Sequence, residues 1–361
     1  MKRPIDYAKQ SCDTMMRTYE AAKLPPVGHF HYHQGVFLSG MLHVYQLVKD
    51  RRYEAYVKDW VDSVIGRNGT IKGFEEGSLD DIQPGILLLY LYEKYGEVKY
   101  KTAIETLIGY INKWKTNAWG GFWHKEHLPN EMWLDGLYMA GPFMAEYVEK
   151  YSMPALWDMV VKQALLMHEN MTDSKTGLMY HAWSSDKTAE WANPDTGLSP
   201  EFWGRAMGWY VVAILDIFEF IPRTHGAYQK LVKIEQNMLK ALVQFQNSKN
   251  GLWYQVVDKA AIAGNWPEIS CSSLYAYALS KAIHMGLMDA SYLKYVKKGY
   301  EGVIGSLEFD GDALHVVGVC IGTGVCTYQG YIERPTSCND LHGVGAFLLM
   351  CAEVERNFGL F

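Results

Sequence analysis

Stretches that are apolar on every side alternate along this chain with stretches that are apolar on one side only. That alternation restricts the fold more than any other feature. Gly85-Ile-Leu-Leu-Leu-Tyr-Leu-Tyr92 has no polar face, and a helix of that kind must be covered all round. It ends at Lys94-Tyr95-Gly96, the pattern of a glycine C-cap. Before it, Tyr53, Tyr56, Val57, Trp60, Val61 and Val64 follow the i, i+3, i+4, i+7 spacing of a helix with one buried face. After it, Ala103, Ile104, Leu107, Ile108 and Ile111 do the same.

The pattern recurs, each apolar helix following a glycine- and aromatic-rich turn. Gly28-His-Phe-His-Tyr-His33 precedes a helix from about Gly35, and Gly73-Phe74 with Asp80-Asp81 precedes the Gly85 helix. Gly121-Phe-Trp-His124 precedes a helix from Gly136, and Gly177-Leu-Met-Tyr-His181 precedes one from Gly204 to Leu215. Gly251-Leu-Trp-Tyr254 precedes a helix from Ser272, and Asp312-Ala-Leu-His315 one from Gly343 to Met350. Roughly six helical hairpins, about 50 to 70 residues apart, signal a repeat architecture. An open stack would leave one side of the all-round apolar helices wet. The expectation is therefore an all-α, closed (α/α)6 barrel with short strand-like turns at its rim. Residues 1–361 would form a single catalytic domain, since no Pro/Gly/Ser-rich linker divides them.

The net charge of −6 with no basic cluster argues against nucleic acid and anionic membranes as partners. No segment is long and apolar enough to span a bilayer, and the N-terminal segment lacks the apolar core of a signal peptide. The six scattered cysteines form no CxxC, as expected of reduced thiols in a cytoplasmic protein. Twelve Trp and 25 Tyr exceed what a core needs and suit a groove on which sugars stack.

A closed barrel gathers on one rim the residues just before the inner helices. Asp135 is lodged in Met132-Trp-Leu-Asp-Gly-Leu-Tyr-Met139 among large apolar residues. A carboxyl there is paired, hydrogen-bonded or protonated, and a protonated one is a general acid. It would also serve as N-cap of the following helix. One of Asp80 and Asp81 is expected as a cap before Pro84, the other as a second carboxylate of the site. Arg205, in Phe202-Trp-Gly-Arg-Ala-Met-Gly-Trp-Tyr210, needs a partner: either an internal carboxylate or the carboxylate of a ligand. His124 and His181 suit sugar hydroxyls, and Trp133, Trp203 and Trp209 suit stacking. His29, His31 and His33 alternate as in a strand, on one face with no fourth ligand, so neither metal nor cofactor is expected. No GxSxG, HExxH or P-loop is present, and Gly322-Thr-Gly324 reads as a plain loop.

Met132–Met139, Phe202–Tyr210 and Arg334-Pro-Thr-Ser-Cys-Asn-Asp-Leu-His-Gly343 together resemble the unsaturated rhamnogalacturonyl hydrolases of glycoside hydrolase family 105. The resemblance runs from about Tyr32 to the last helix. It implies an (α/α)6 barrel acting on small oligosaccharides that end in a 4,5-unsaturated uronic acid, as in pectin breakdown. It also implies that Asp135 is the acid/base of a hydration, with Asp80 the second carboxylate. Substrate contacts would fall to Tyr32, His124, Trp133, His181, Arg205 and Trp209. Met207 departs from the Asn that relatives often carry. Unsaturated glucuronyl hydrolysis of other lyase products is the nearest alternative. More remote are a sugar epimerase or isomerase, or a non-catalytic sugar-binding protein, on the same barrel.

Overall fold

The computed structural model describes residues 2–360. Its helices are α1 (Pro4–Thr18), α2 (Tyr32–Val48), α3 (Arg51–Val64), α4 (Gly85–Tyr95), α5 (Val98–Ile111), α6 (Asp135–Lys150), α7 (Trp157–Met171), α8 (Gly204–Ile217), α9 (Tyr228–Gln244), α10 (Ile269–His284), α11 (Leu293–Gly305), the short α12 (Tyr328–Ile332) and α13 (Leu341–Asn357). Short strands pair antiparallel in twos: β1 (Glu131–Trp133) with β2 (Ala182–Ser184), β3 (Glu308–Asp310) with β4 (Ala313–His315), and β5 (Val319–Cys320) with β6 (Thr336–Ser337).

Helices α2, α4, α6, α8, α10 and α13 form an inner ring, each packed on the next, and α13 returns to pack on α2. The ring is closed, which is the (α/α)6 barrel and not the open solenoid. Closure depends on two glycines. A Cβ on Gly40 of α2 would lie 2.9 Å from the carbonyl oxygen of Gly345 on α13, too close for any side chain. The outer partner of α13 is α1, so the last unit is completed by the first helix of the chain. The Ile5 N–H donates to Glu355 Oε2 at 3.2 Å across that junction.

The outer helices bury one face. In α3 the buried apolar positions are those of the helical spacing, Tyr53 through Val64. Glu54 is buried with them and is paired with Lys94 and the Tyr90 hydroxyl. The inner helices α8, α10 and α13 are buried almost throughout. Gly96 ends α4 in the left-handed conformation, φ 67°. The apolar patterns set several boundaries too tightly. Helix α2 begins at Tyr32, α10 at Ile269 and α6 at Asp135 itself, and α13 runs on to Asn357. The first turns are polar because they face the pit, so polarity there marks the site and not a solvent loop. No helix among the described residues is long and apolar enough to cross a membrane.

Backbone hydrogen bonds stitch successive rim loops together. Leu79 N–H donates to the His124 carbonyl (3.2 Å), His124 N–H to Glu131 (2.8 Å), Leu134 N–H to His181 (3.0 Å), Gly204 N–H to Gln255 (2.9 Å) and Ile269 N–H to Gly318 (3.1 Å). Four of these bonds fix the start of an inner helix against the loop of a neighbouring unit, and the His124–Glu131 bond braces the loop before α6. Side chains far apart in sequence are thereby held on one rigid rim.

Candidate active site

At the N-terminal ends of the inner helices lies a cavity of about 270 Å³ lined by Tyr32, Asp80, His124, Lys125, Trp133, Asp135, Trp203, Arg205 and the Gly322–Gly324 loop, among others. The first turns of α2, α6 and α8 contribute to it directly, so their positive dipole ends face a prospective ligand.

Asp135 owes its setting to the β1–β2 pair, which places Trp133 opposite Ala182. The next residue before Ala182, His181, is wholly buried, and its Nε2 lies 3.2 Å from Asp135 Oδ2. The other ring nitrogen of His181, Nδ1, lies 2.7 Å from the Tyr331 hydroxyl. That hydroxyl accepts from the Cys326 N–H at 3.3 Å, and we assign its own proton to Nδ1. The imidazole then carries its hydrogen on Nε2, directed at Asp135. Oδ2 of Asp135 is buried and faces that N–H, which leaves Oδ1 as the oxygen able to carry a proton toward the cavity. Asp135 is not the helix cap: α6 starts at it, and the N-cap position falls to Leu134.

Asp80 sits in a different electrostatic setting. Its Oδ1 lies 3.4 Å from His124 Nε2, and its Oδ2 lies 3.0 Å from Lys125 Nζ and 4.0 Å from His31 Nε2. Burial opposes ionisation, but these three partners outweigh it and hold the carboxyl below its usual range. Asp81, its neighbour, is not in the cavity lining; its Oδ2 accepts from the Glu75 N–H at 2.6 Å. Burial pushes Asp81 up to about 8. Burial also lowers His124, against the pull of Asp80. Trp133 stacks on His124 at 4.4 Å between ring centroids, and its indole N–H donates to Glu131 Oε2 at 2.9 Å.

Arg205 is buried, with its guanidinium 4.6 Å over the Trp203 ring. It donates to the carbonyls of Cys320 (2.7 Å) and Ile321 (2.8 Å) and lies 3.8 Å from Glu268 Oε1. The internal-carboxylate alternative therefore applies. Arg205 has an internal carboxylate, and it also lines the cavity.

Tyr32, Asp80, His124, Trp133, Asp135 and Arg205 are thus brought together around one cavity. Two expected sugar contacts are not part of its lining. His181 lies behind Asp135. Trp209, one helical turn beyond Arg205 on α8, is 1% exposed and stacked on Tyr138 in the core at 4.6 Å. Met207 is buried as well, its sulfur 3.4 Å from the Met179 N–H. The histidine run is no strand: His31 precedes α2 and His33 lies in its first turn, with their Nδ1 atoms 2.9 Å apart. His33 Nε2, Asp340 Oδ1 and His342 Nδ1 converge within 4.8 Å, the one such donor set among the described residues. His342 Nδ1 is only 2.8 Å from Asp340 Oδ1, the spacing of an ion pair. Lys125, Tyr331 and Glu268 carry no motif signal in the sequence. Lys125 was within reach as the residue after His124; the other two are recognisable only through contacts across the fold.

The sequence model of Glycosyl Hydrolase Family 88 matches residues 7–358. A solved C. acetobutylicum ATCC 824 glycoside hydrolase of family 105 is 34% identical, with TM-score 0.93, over 97% of this chain and 99% of that one. The unsaturated rhamnogalacturonyl hydrolase YesR of Bacillus subtilis is 27% identical over 329 residues, 89% of this chain and 88% of that protein. The unsaturated glucuronyl hydrolase of Bacillus sp. GL1 shares the fold alone, at 13% identity and TM-score 0.73 over 99% of this chain and 97% of that one.

Proposed function

The chain belongs to the family 88 and 105 glycoside hydrolases, which act on unsaturated uronyl sugars, and from that premise we propose an unsaturated rhamnogalacturonyl hydrolase with Asp135 as its acid/base. Asp135 Oδ1 gives its proton to C4 of the 4,5-ene. Water adds at C5 and returns a proton to the carboxylate. The resulting hemiketal opens and releases the partner sugar with 4-deoxy-5-keto-uronate. Asp80, held ionised by His124 and Lys125, orients the water and stabilises positive charge developing at C5. Arg205 and Lys125 supply cationic character for the uronate carboxylate, and Trp133 offers a face to the ring.

The observation that carries this reading is the divided carboxylate of Asp135. One oxygen is buried 3.2 Å from His181 Nε2, and the other is left to exchange a proton with the cavity. The rhamnose partner follows the resemblance to YesR. The whole chain, 1–361, would act as one catalytic domain. Six unpaired cysteines suit a reducing cytoplasm. A panel of unsaturated disaccharides differing in the partner sugar tests the reading. The highest kcat/KM is expected with rhamnose; a preference for glucosamine or glucose partners would move the protein to glucuronyl hydrolysis.

A further inference from the structure

The loop that read as featureless in the sequence, Gly322-Thr323-Gly324, forms a wall of the cavity. It is held more firmly than a loop needs for its own sake. Arg205 takes the carbonyls of Cys320 and Ile321, and His342 Nε2 lies 3.1 Å from that of Cys320. Glu268, fully buried, accepts from the Cys320 N–H at 2.9 Å. Arg334 donates to the Gly322 carbonyl and, at 3.3 Å, to Thr323 Oγ1. The Thr323 hydroxyl in turn donates to Ile321 at 2.7 Å, so the wall's one hydroxyl is spent within the loop.

Nothing in the fold asks for glycine at 322 or 324. Neither has a left-handed φ. A Cβ on Gly322 would come no nearer than 3.8 Å to the Tyr32 hydroxyl and 3.9 Å to His33 Cε1. On Gly324 it would come no nearer than 3.6 Å to Trp133 Cη2. These are ordinary contacts, unlike the 2.5 Å that a Cβ on Gly343 would meet at Val319. Glycine in a place that tolerates alanine loosens the unfolded chain without benefit to the folded one. Both missing methyl groups point toward residues of the cavity. That cavity is the one lined by Asp80, Asp135 and Arg205, the groups that would meet a ligand. The space left by the two glycines is therefore space for that ligand.

We propose that the 320–324 loop is the wall that selects the partner sugar, and that Gly322 and Gly324 keep it clear for a neutral ring without bulky substituents. The proposal rests on the hydrolase reading above. A wall with no free side-chain donor, acceptor or charge discriminates chiefly by shape, and a bulky substituent on the partner ring would collide with it. The test is the kinetics and melting temperature of Gly322→Ala and Gly324→Ala. The substrates are an unsaturated disaccharide with a neutral deoxyhexose partner and one with an N-acetylated hexosamine partner. Gly305→Ala, at a position where a Cβ meets nothing, is the control. Wild type should favour the deoxyhexose substrate. One intruding methyl group should raise its KM by about 10- to 200-fold, with kcat nearly unchanged and melting at or above wild type. Unchanged KM in both variants, or a lowered melting temperature, would overturn the proposal. A wild type that leaves both enes intact would instead sink the hydrolase reading itself.

Discussion

The inner ring is hollow at both ends, and the larger hollow is not the one fitted for catalysis. At the C-terminal ends of α2, α4, α6 and α8 lies a cavity of about 420 Å³, against about 270 Å³ at the N-terminal mouth. The larger one is lined by Glu93, Glu146, Asp216 and Glu219, and all four are paired. Lys281 reaches Asp216 at 2.6 Å and also Glu219, and Lys150 reaches Glu146 at 3.3 Å and also Glu93. Those lysines offset the negative helix ends as well as the carboxylates. At the N-terminal mouth Asp135 Oδ2, His124 Nδ1 and His181 Nε2 are buried with no well-formed hydrogen bond, against Ser39 Oγ among the residues lining the larger hollow. Unused polar capacity, and not volume, distinguishes a working end from a structural one.

The sharpest way to break that contrast is to disable the mouth. Asp135→Asn keeps the shape and should lower kcat by about 10³- to 10⁴-fold, with substrate binding and melting temperature close to wild type. His181→Ala removes the N–H that fixes Asp135 and should cost kcat about 100-fold, read by steady-state rates. A loss as complete as that of Asp135→Asn, and shared by His124→Ala, would favour an epimerase-like histidine pair. Arg205→Lys keeps the charge but cannot hold two carbonyls in a fork, and KM should rise about tenfold. An unchanged KM would make Arg205 purely structural.

At the opposite end the effects should be on stability alone. Lys281→Met removes the cation from Asp216 and Glu219 and should cost about 3 kcal/mol, the low end for a broken buried pair because Asp216 keeps the Tyr277 hydroxyl at 2.9 Å. Denaturant unfolding measures this, and kcat/KM per folded molecule should not move. The last effect is a pH dependence and concerns Asp81, beside the mouth but outside it. Its folded pKa, about 8, lies above the unfolded value. Stability is therefore lost as pH rises from the ordinary carboxyl range, and the loss is complete above about 8. Asp81→Asn, which still accepts from Glu75, should flatten that dependence in thermal melts from pH 5 to 9.

Much of the ring was legible because helical burial is written locally. The alternation from Tyr53 to Ile111 marks which helices are inner and which outer. Asp135 and Arg205 stood out for a related reason, as charges inside apolar runs. What escaped depends on contacts distant in sequence. Tyr331 reaches His181 across 150 residues, and α1 completes the outer layer against α13. The Gly322–Gly324 wall has no hydrophobic period to announce it. Trp209 misled because an indole beyond a site motif has the same sequence signature whether it faces the pit or packs on Tyr138.

The central claim is that Asp135 hydrates the ene and that bond cleavage follows from it. The most direct measurement follows, in one reaction, the ultraviolet absorbance of the ene and the release of the partner sugar by chromatography. Wild type should lose absorbance no later than it releases sugar, in equal amounts, and Asp135→Asn should do neither. Release of the sugar ahead of the loss of absorbance, as direct displacement at the anomeric carbon requires, would contradict the account.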